Sequence, residues 1–92
     1  MASSSEPSAG KYAVELTRAS VDFLAKLDKA DSAAILKKLN SIRENPFRFV
    51  VRLFGSRLYR LRIQDYRAIV DIVIVARRIL VVRIGKRENV YD

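Results

Sequence analysis

The chain has 92 residues, half of them apolar, with a formal net charge of +8 and neither cysteine nor histidine. That length makes one small domain, burying about 60–65% of its unfolded surface. Without cysteine there are no disulfides or thiolate metal sites, and without histidine the commonest general base and metal ligand are missing. No apolar run reaches the roughly 20 residues of a membrane helix, and no stretch has the form of a signal peptide. A cytoplasmic protein with no membrane contact is expected, and the missing disulfides fit a reducing compartment.

In chain order, residues 1–10 are small, polar and without periodicity, and read as a disordered lead before a single domain over residues 11–92. Lys11 to Leu16 alternates as a short first strand, with Tyr12, Val14 and Leu16 on one side. Thr17 is the expected N-cap of a first helix running to Asp28, with Phe23, Leu24 and Leu27 as its apolar stripe. Asp28 opens a second helix, with Asp31 in its first turn near the positive end of the dipole. Ile35, Leu39 and Ile42 form the inner face of that helix and Lys37 and Lys38 the outer. Asn45-Pro46 stops it, because the residue before proline is pushed out of the α region. The two helices make an αα-hairpin.

Phe47 to Arg57 reads as a loop packed on the core edge, with a short extra strand as the alternative. Three β-branched runs follow, near Tyr59–Ile63, Tyr66–Val75 and Arg78–Gly85. Breaks at Gln64-Asp65 and Ala76-Arg77-Arg78 mark a three-stranded antiparallel meander. The expected class is α+β in the order β-α-α-β-β-β, a small antiparallel sheet with the αα-hairpin on one face.

The positive charge is unevenly spread. Residues 1–45 hold seven basic and six acidic residues, a net of +1, whereas residues 46–92 hold eleven and four, a net of +7. Such a field concentrates polyanions and speeds their encounter. Nucleic acid is the first candidate partner and an acidic protein the second. Within the meander Arg60, Arg62, Arg67, Arg83 and Arg87 sit in or at the ends of strands. Alternation lets Tyr59, Leu61 and Ile63 face a core while Arg60 and Arg62 share the other side. By the same rule Arg83 and Arg87 share a face.

Arginine, Lys86 and tyrosine remain when the common catalytic parts are absent. They suit metal-free cleavage of RNA by its own 2′-hydroxyl. The substrate then supplies the nucleophile, and guanidinium groups align the phosphodiester and offset charge on the transition state. Tyrosine can stack on a base. For any single arginine the plainer role is a surface one, its stem covering apolar area and its charge discouraging edge pairing. Five in one half of one sheet favour a polyanion site. Tyr12, Tyr59 and Tyr66 read as core or edge residues. Asp71 reads as a solvated or salt-bridged strand residue, and Arg77 and Arg78 as turn residues.

Taken with the element order, Tyr59-Arg60-Leu61-Arg62-Ile63, Asp65-Tyr66-Arg67, Ile84-Gly85-Lys86-Arg87 and Tyr91 resemble the RelE/ParE superfamily of toxins, closer to its RelE branch. The resemblance runs from about Lys11 to Asp92. It implies a type II toxin–antitoxin toxin, a ribosome-dependent endoribonuclease cutting messenger RNA in the ribosomal A site. It implies catalytic roles for Arg60, Arg62, Arg67, Arg87 and Tyr91. Arg67 would contact the scissile phosphate, Arg87 stabilise the transition state and Tyr91 stack on the base. Arg60 and Arg62 stand where the family often has lysine, and arginine there keeps the charge but is a poor proton acceptor. Arg52, Arg83, Lys86, Lys37 and Lys38 are the expected RNA- or ribosome-binding residues. The implied partners are an acidic, partly disordered antitoxin, the ribosome with its mRNA, and operator DNA reached through the antitoxin complex; no cofactor or metal is implied. The alternatives are a ParE-like DNA gyrase inhibitor without nuclease activity and a non-catalytic nucleic-acid-binding module.

Overall fold

The computed structural model describes residues 11–86. The expected lead at 1–10 and the tail carrying Arg87 and Tyr91 lie outside the described residues. Strand β1 covers Ala13–Leu16, helix α1 Arg18–Ala25 and helix α2 Lys29–Ser41. A 3-10 turn at Pro46–Arg48 follows, then strands β2 (Val50–Arg52), β3 (Tyr59–Ile63), β4 (Tyr66–Val73) and β5 (Arg78–Lys86).

Both helix starts follow from their caps. Thr17 is extended and its hydroxyl accepts the N–H of Ser20; Asp28 accepts the N–H of Asp31 at 2.8 Å. Each satisfies an amide that the first turn leaves without a partner. Helix α2 ends at Ser41, short of the proline. Its exit is tied back to the chain before β1, where Tyr12 N–H donates to the Arg43 carbonyl and Arg43 Nε to the Tyr12 carbonyl.

Among the described residues the sheet has five strands in the order β1-β5-β4-β3-β2. Strands β2 to β5 pair antiparallel. The expected meander is therefore present, and the α+β class holds. Two details differ from the sequence reading. The sheet is mixed, because β1 pairs parallel to β5, Ala13 opposite Arg78 and Leu16 opposite Val81. The stretch read mainly as a loop contains β2, paired with β3 through Val50–Leu61, Val51–Arg60 and Arg52–Tyr59.

Strands β1 and β2 lie at opposite edges, so the helical hairpin joining them must cross one face of the sheet. It buries that face. Leu24, Ile35, Leu39 and Ile42 pack against Leu61, Ile63, Tyr66, Ala68, Val70, Ile72, Ile79, Val81 and Ile84, with Tyr12 beside them. The inner face expected for α2 is observed, with Ile35, Leu39 and Ile42 at most 1% exposed. Helix α1 ends at Ala25 rather than Asp28, so Leu24 is buried on it while Phe23 and, past its end, Leu27 pack only partly buried. Strand β4 ends at Val73, two residues early, and Ile74 and Val75 lie exposed in the turn to β5. Arg77 closes that turn at φ 55°, whereas Arg78 opens β5 and meets Glu15 at 3.4 Å.

One irregularity interrupts the β4–β5 ladder. Val70 pairs with Val81 but Ile69 pairs with Arg83, so Val82 is an extra residue on β5. Such a bulge reverses which face each later side chain takes.

Candidate nucleic-acid interface

Register places the arginines. Residues paired across a sheet share a face. One row holds Val51, Arg60, Ile69 and Arg83; the next holds Arg62, Arg67 and Gly85. Ile69 belongs to a small cluster with Leu53 and Leu58 that is separate from the main core. Both rows therefore lie on the side away from the helices. Strand spacing puts the four arginine Cα atoms in a patch of roughly 7 by 10 Å. Four of the five arginines singled out from sequence are thus brought together, and the fifth, Arg87, lies outside the described residues.

The six-residue link between β2 and β3 folds over part of this open face. Leu53 and Leu58 cover Ile69, and Leu53 N–H donates to the Leu58 carbonyl at 3.0 Å. Gly55, at φ 71°, supplies the left-handed backbone that turns the loop. Further bonds brace it: Arg52 Nε donates to the Ser56 carbonyl and Leu58 N–H to the Ser56 hydroxyl. Phe54, at its tip, is fully exposed.

Asp71 is the single acidic residue in β3, β4 and β5. It is salt-bridged to Arg57 from the same loop, which raises the guanidinium pKa through hydrogen bond and charge. Glu15 shares this face, since both it and Asp71 pair with Leu80, and it meets Arg78. Both acids are thus engaged by arginines outside the four-arginine patch.

The remaining predicted binding residues do not join the patch. Arg52 pairs with Tyr59 and Lys86 with Tyr66, which gives both the helix-side parity. Arg52 lies at the β2 edge with its guanidinium 5.9 Å from the Tyr59 ring centroid. Lys37 and Lys38 stand on α2 and line a cleft of about 490 Å³ with Ala34, Ser41, Arg62, Ile63 and Gln64. This cleft opens where β3 extends past the start of β2, Arg62 and Ile63 lying beyond the Val50–Leu61 pair. Through Arg62 it connects the lysines to the open face. Lys38 also sits 5.1 Å from the Phe49 ring centroid.

Tyr66 is buried and structural, as its strand position suggested. Its hydroxyl donates to Asp31 Oδ2 at 2.9 Å, which with burial and nearby carboxylates raises the phenol pKa. Sequence reasoning missed Phe54, Arg57 and the pair Thr17–Ser20. Gly55-Ser56 marked the loop but not its curl over the sheet. Nothing local showed that Ser20 would be wholly buried.

A five-stranded mixed sheet under a helical hairpin is the RelE-like α+β architecture. Residues 14–91 match the family model described as the ParE toxin of the type II toxin–antitoxin system, parDE, and the chain belongs to that family, within the RelE/ParE superfamily. Its fold is similar to solved toxin–antitoxin complexes. The RelBE2 complex from Mycobacterium tuberculosis aligns at TM-score 0.77 and 20% identity, covering 89% of this chain and 98% of that one. The archaeal RelE–RelB complex from Pyrococcus horikoshii OT3 aligns at 0.74 and 26%, covering 87% and 99%. The E. coli RelBE complex aligns at 0.71 and 20%, covering 85% and 99%. Comparison with curated protein sequences returns no match.

Proposed function

We propose that this toxin is a ribosome-dependent endoribonuclease that cuts mRNA in the ribosomal A site by attack of the substrate's own 2′-hydroxyl, so arresting translation. The observation that carries the reading is the shared face of Arg60, Arg62, Arg67 and Arg83, with Arg62 directly across from Arg67. Such a patch matches a sugar-phosphate chain and holds a phosphodiester in line by bidentate hydrogen bonds. The substrate carries its nucleophile, so the protein's task is alignment and charge compensation. Arg67 would bind the scissile phosphate, Arg60 and Arg62 the flanking backbone, and Arg87 the charge of the transition state, with Tyr91 stacking on the base. Arg60 and Arg62 stay protonated and serve as clamps rather than bases.

The partner on this reading is an antitoxin, as in the RelB–RelE complexes that share the fold. An acidic, partly apolar chain would complement both the basic face and edge strand β2, where Val51 and, just before the strand, Phe49 are exposed. Operator DNA would be reached through that complex, in the cytoplasm.

A second reading is favoured by the family model itself, which is that of ParE: a DNA gyrase inhibitor performing no RNA chemistry. Incubation with translating ribosomes, followed by mapping of transcript ends, separates the two. Codon-registered cuts are expected. Intact transcripts together with inhibited supercoiling by purified gyrase would overturn the nuclease reading.

A further inference from the structure

We infer that Thr17 and Ser20 are positioning residues for Arg83, their hydroxyls holding the extra residue in β5 that turns Arg83 onto the arginine face. The consequence for RNA binding rests on the reading above; the geometry of the clamp does not.

Ile79 and Val81 point under the helices and are fully buried. Strict alternation would send Arg83 after them and push Ile84 to the open side. The reverse is found: Arg83 is exposed and pairs with Ile69, and Ile84 is 5% exposed in the main core. One inserted residue, Val82, makes that difference.

A bulge disturbs the ladder and leaves backbone groups needing new partners. Strand β1, the other neighbour of β5, ends at Leu16, level with Val81. Beyond that point the start of α1 takes over. The Val81 carbonyl accepts Thr17 N–H at 3.2 Å and the Ser20 hydroxyl at 2.7 Å. The Val82 carbonyl accepts the Thr17 hydroxyl at 2.7 Å. Ser20 is 0% exposed. Helix packing alone would be served better there by alanine, the stronger helix former with no polar group to bury. Thr17 works in both directions, accepting Ser20 N–H as the helix cap and donating into the strand. The first turn of α1 is thus fastened to the bulge that orients Arg83.

The chain has no cysteine, so single thiols report the facing of β5. Arg83→Cys and Ile84→Cys are made in the native background and in a Thr17→Asp, Ser20→Ala background, and maleimide labelling rates are compared. Aspartate still caps the helix, but when ionised it has no hydrogen to give the Val82 carbonyl. With the clamp intact, Arg83→Cys should label roughly 100-fold faster than Ile84→Cys, which reacts only through local opening. Without the clamp the ratio should fall at least about tenfold, and in a Thr17→Ser background it should hold. An unchanged ratio in the folded, clampless protein overturns the inference. Should the double background fail to fold by circular dichroism, Thr17→Asp alone is judged in the same way, since it removes the hydroxyl donor to the Val82 carbonyl.

Affinity for a single-stranded RNA oligonucleotide separates the two levels. The loss on Arg83→Ala should be clear in the native background and small in the clampless one, while the loss on Arg60→Ala should be equal in both. If the labelling contrast collapses but Arg83→Ala costs no affinity in either background, the clamp stands and the RNA role of Arg83 falls.

Discussion

Arg62 and Arg67 face each other directly across the β3–β4 ladder, two like charges in adjacent strands one tight turn apart. Like charges directly opposite one another destabilise a sheet. Arg62→Glu should replace that repulsion with attraction and raise the thermal midpoint slightly, while removing growth inhibition. Thermal unfolding and a toxicity assay of the same variant check both halves. A toxic Arg62→Glu protein would remove Arg62 from the site.

Asp71 offsets one positive charge on the open face through Arg57. Asp71→Asn should therefore tighten RNA binding and steepen the dependence of log affinity on log salt by about one. The measurement is an RNA titration at several salt concentrations, with the native protein alongside. Weaker binding, or an unchanged slope, would mean that the RNA does not reach this part of the sheet.

Phe54 is fully exposed at the tip of a braced loop beside the arginines. Its removal should leave stability within about 0.5 kcal/mol. If it stacks on a base, Phe54→Ala should weaken RNA binding roughly tenfold, within the usual range for an aromatic stacking contact. Denaturant unfolding and RNA affinity, measured together, separate that role from a passive one.

The Tyr66 hydroxyl donates to Asp31, and the folded phenol has a pKa above its ordinary value near 10. The stability from this bond is whole below the unfolded phenol's pKa. It is lost as pH rises through the folded one. Tyr66→Phe should lower the urea midpoint at neutral pH and flatten the decline at alkaline pH. Equal alkaline slopes for the two proteins would show that another group sets that limb.

Gln64 turns the β3–β4 hairpin at φ 53°. A non-glycine residue there carries a cost of about 1 kcal/mol that glycine avoids. Gln64→Gly should raise stability by some part of that amount, since glycine also loosens the unfolded chain. The difference in urea midpoint between the two proteins measures it.

The local grammar was legible because each signal concerns neighbours in sequence. Thr17 and Asp28 announced the helix starts. Ile35, Leu39 and Ile42 gave the inner face of α2 by spacing, and Tyr59 to Ile63 sorted arginine from core by alternation. The parallel union of β1 with β5 was hidden, since nothing in Ala13–Leu16 names a partner some sixty residues later. Arg52 and Lys86 have the charge of binding residues, but their register turns them to the other side of the sheet.

Composition and periodicity by themselves determined the α+β class, the absence of thiol and imidazole chemistry, and a basic meander with Arg60 and Arg62 on one side. The tertiary structure alone decided that Arg83 joins them, that Asp71 is engaged by Arg57, and that a loop lies over Ile69. The physical reason is range. A helix or strand is specified by side chains a few positions apart, but the facing of β5 after Val82 depends on hydroxyls from the start of α1, which only folding brings to its carbonyls.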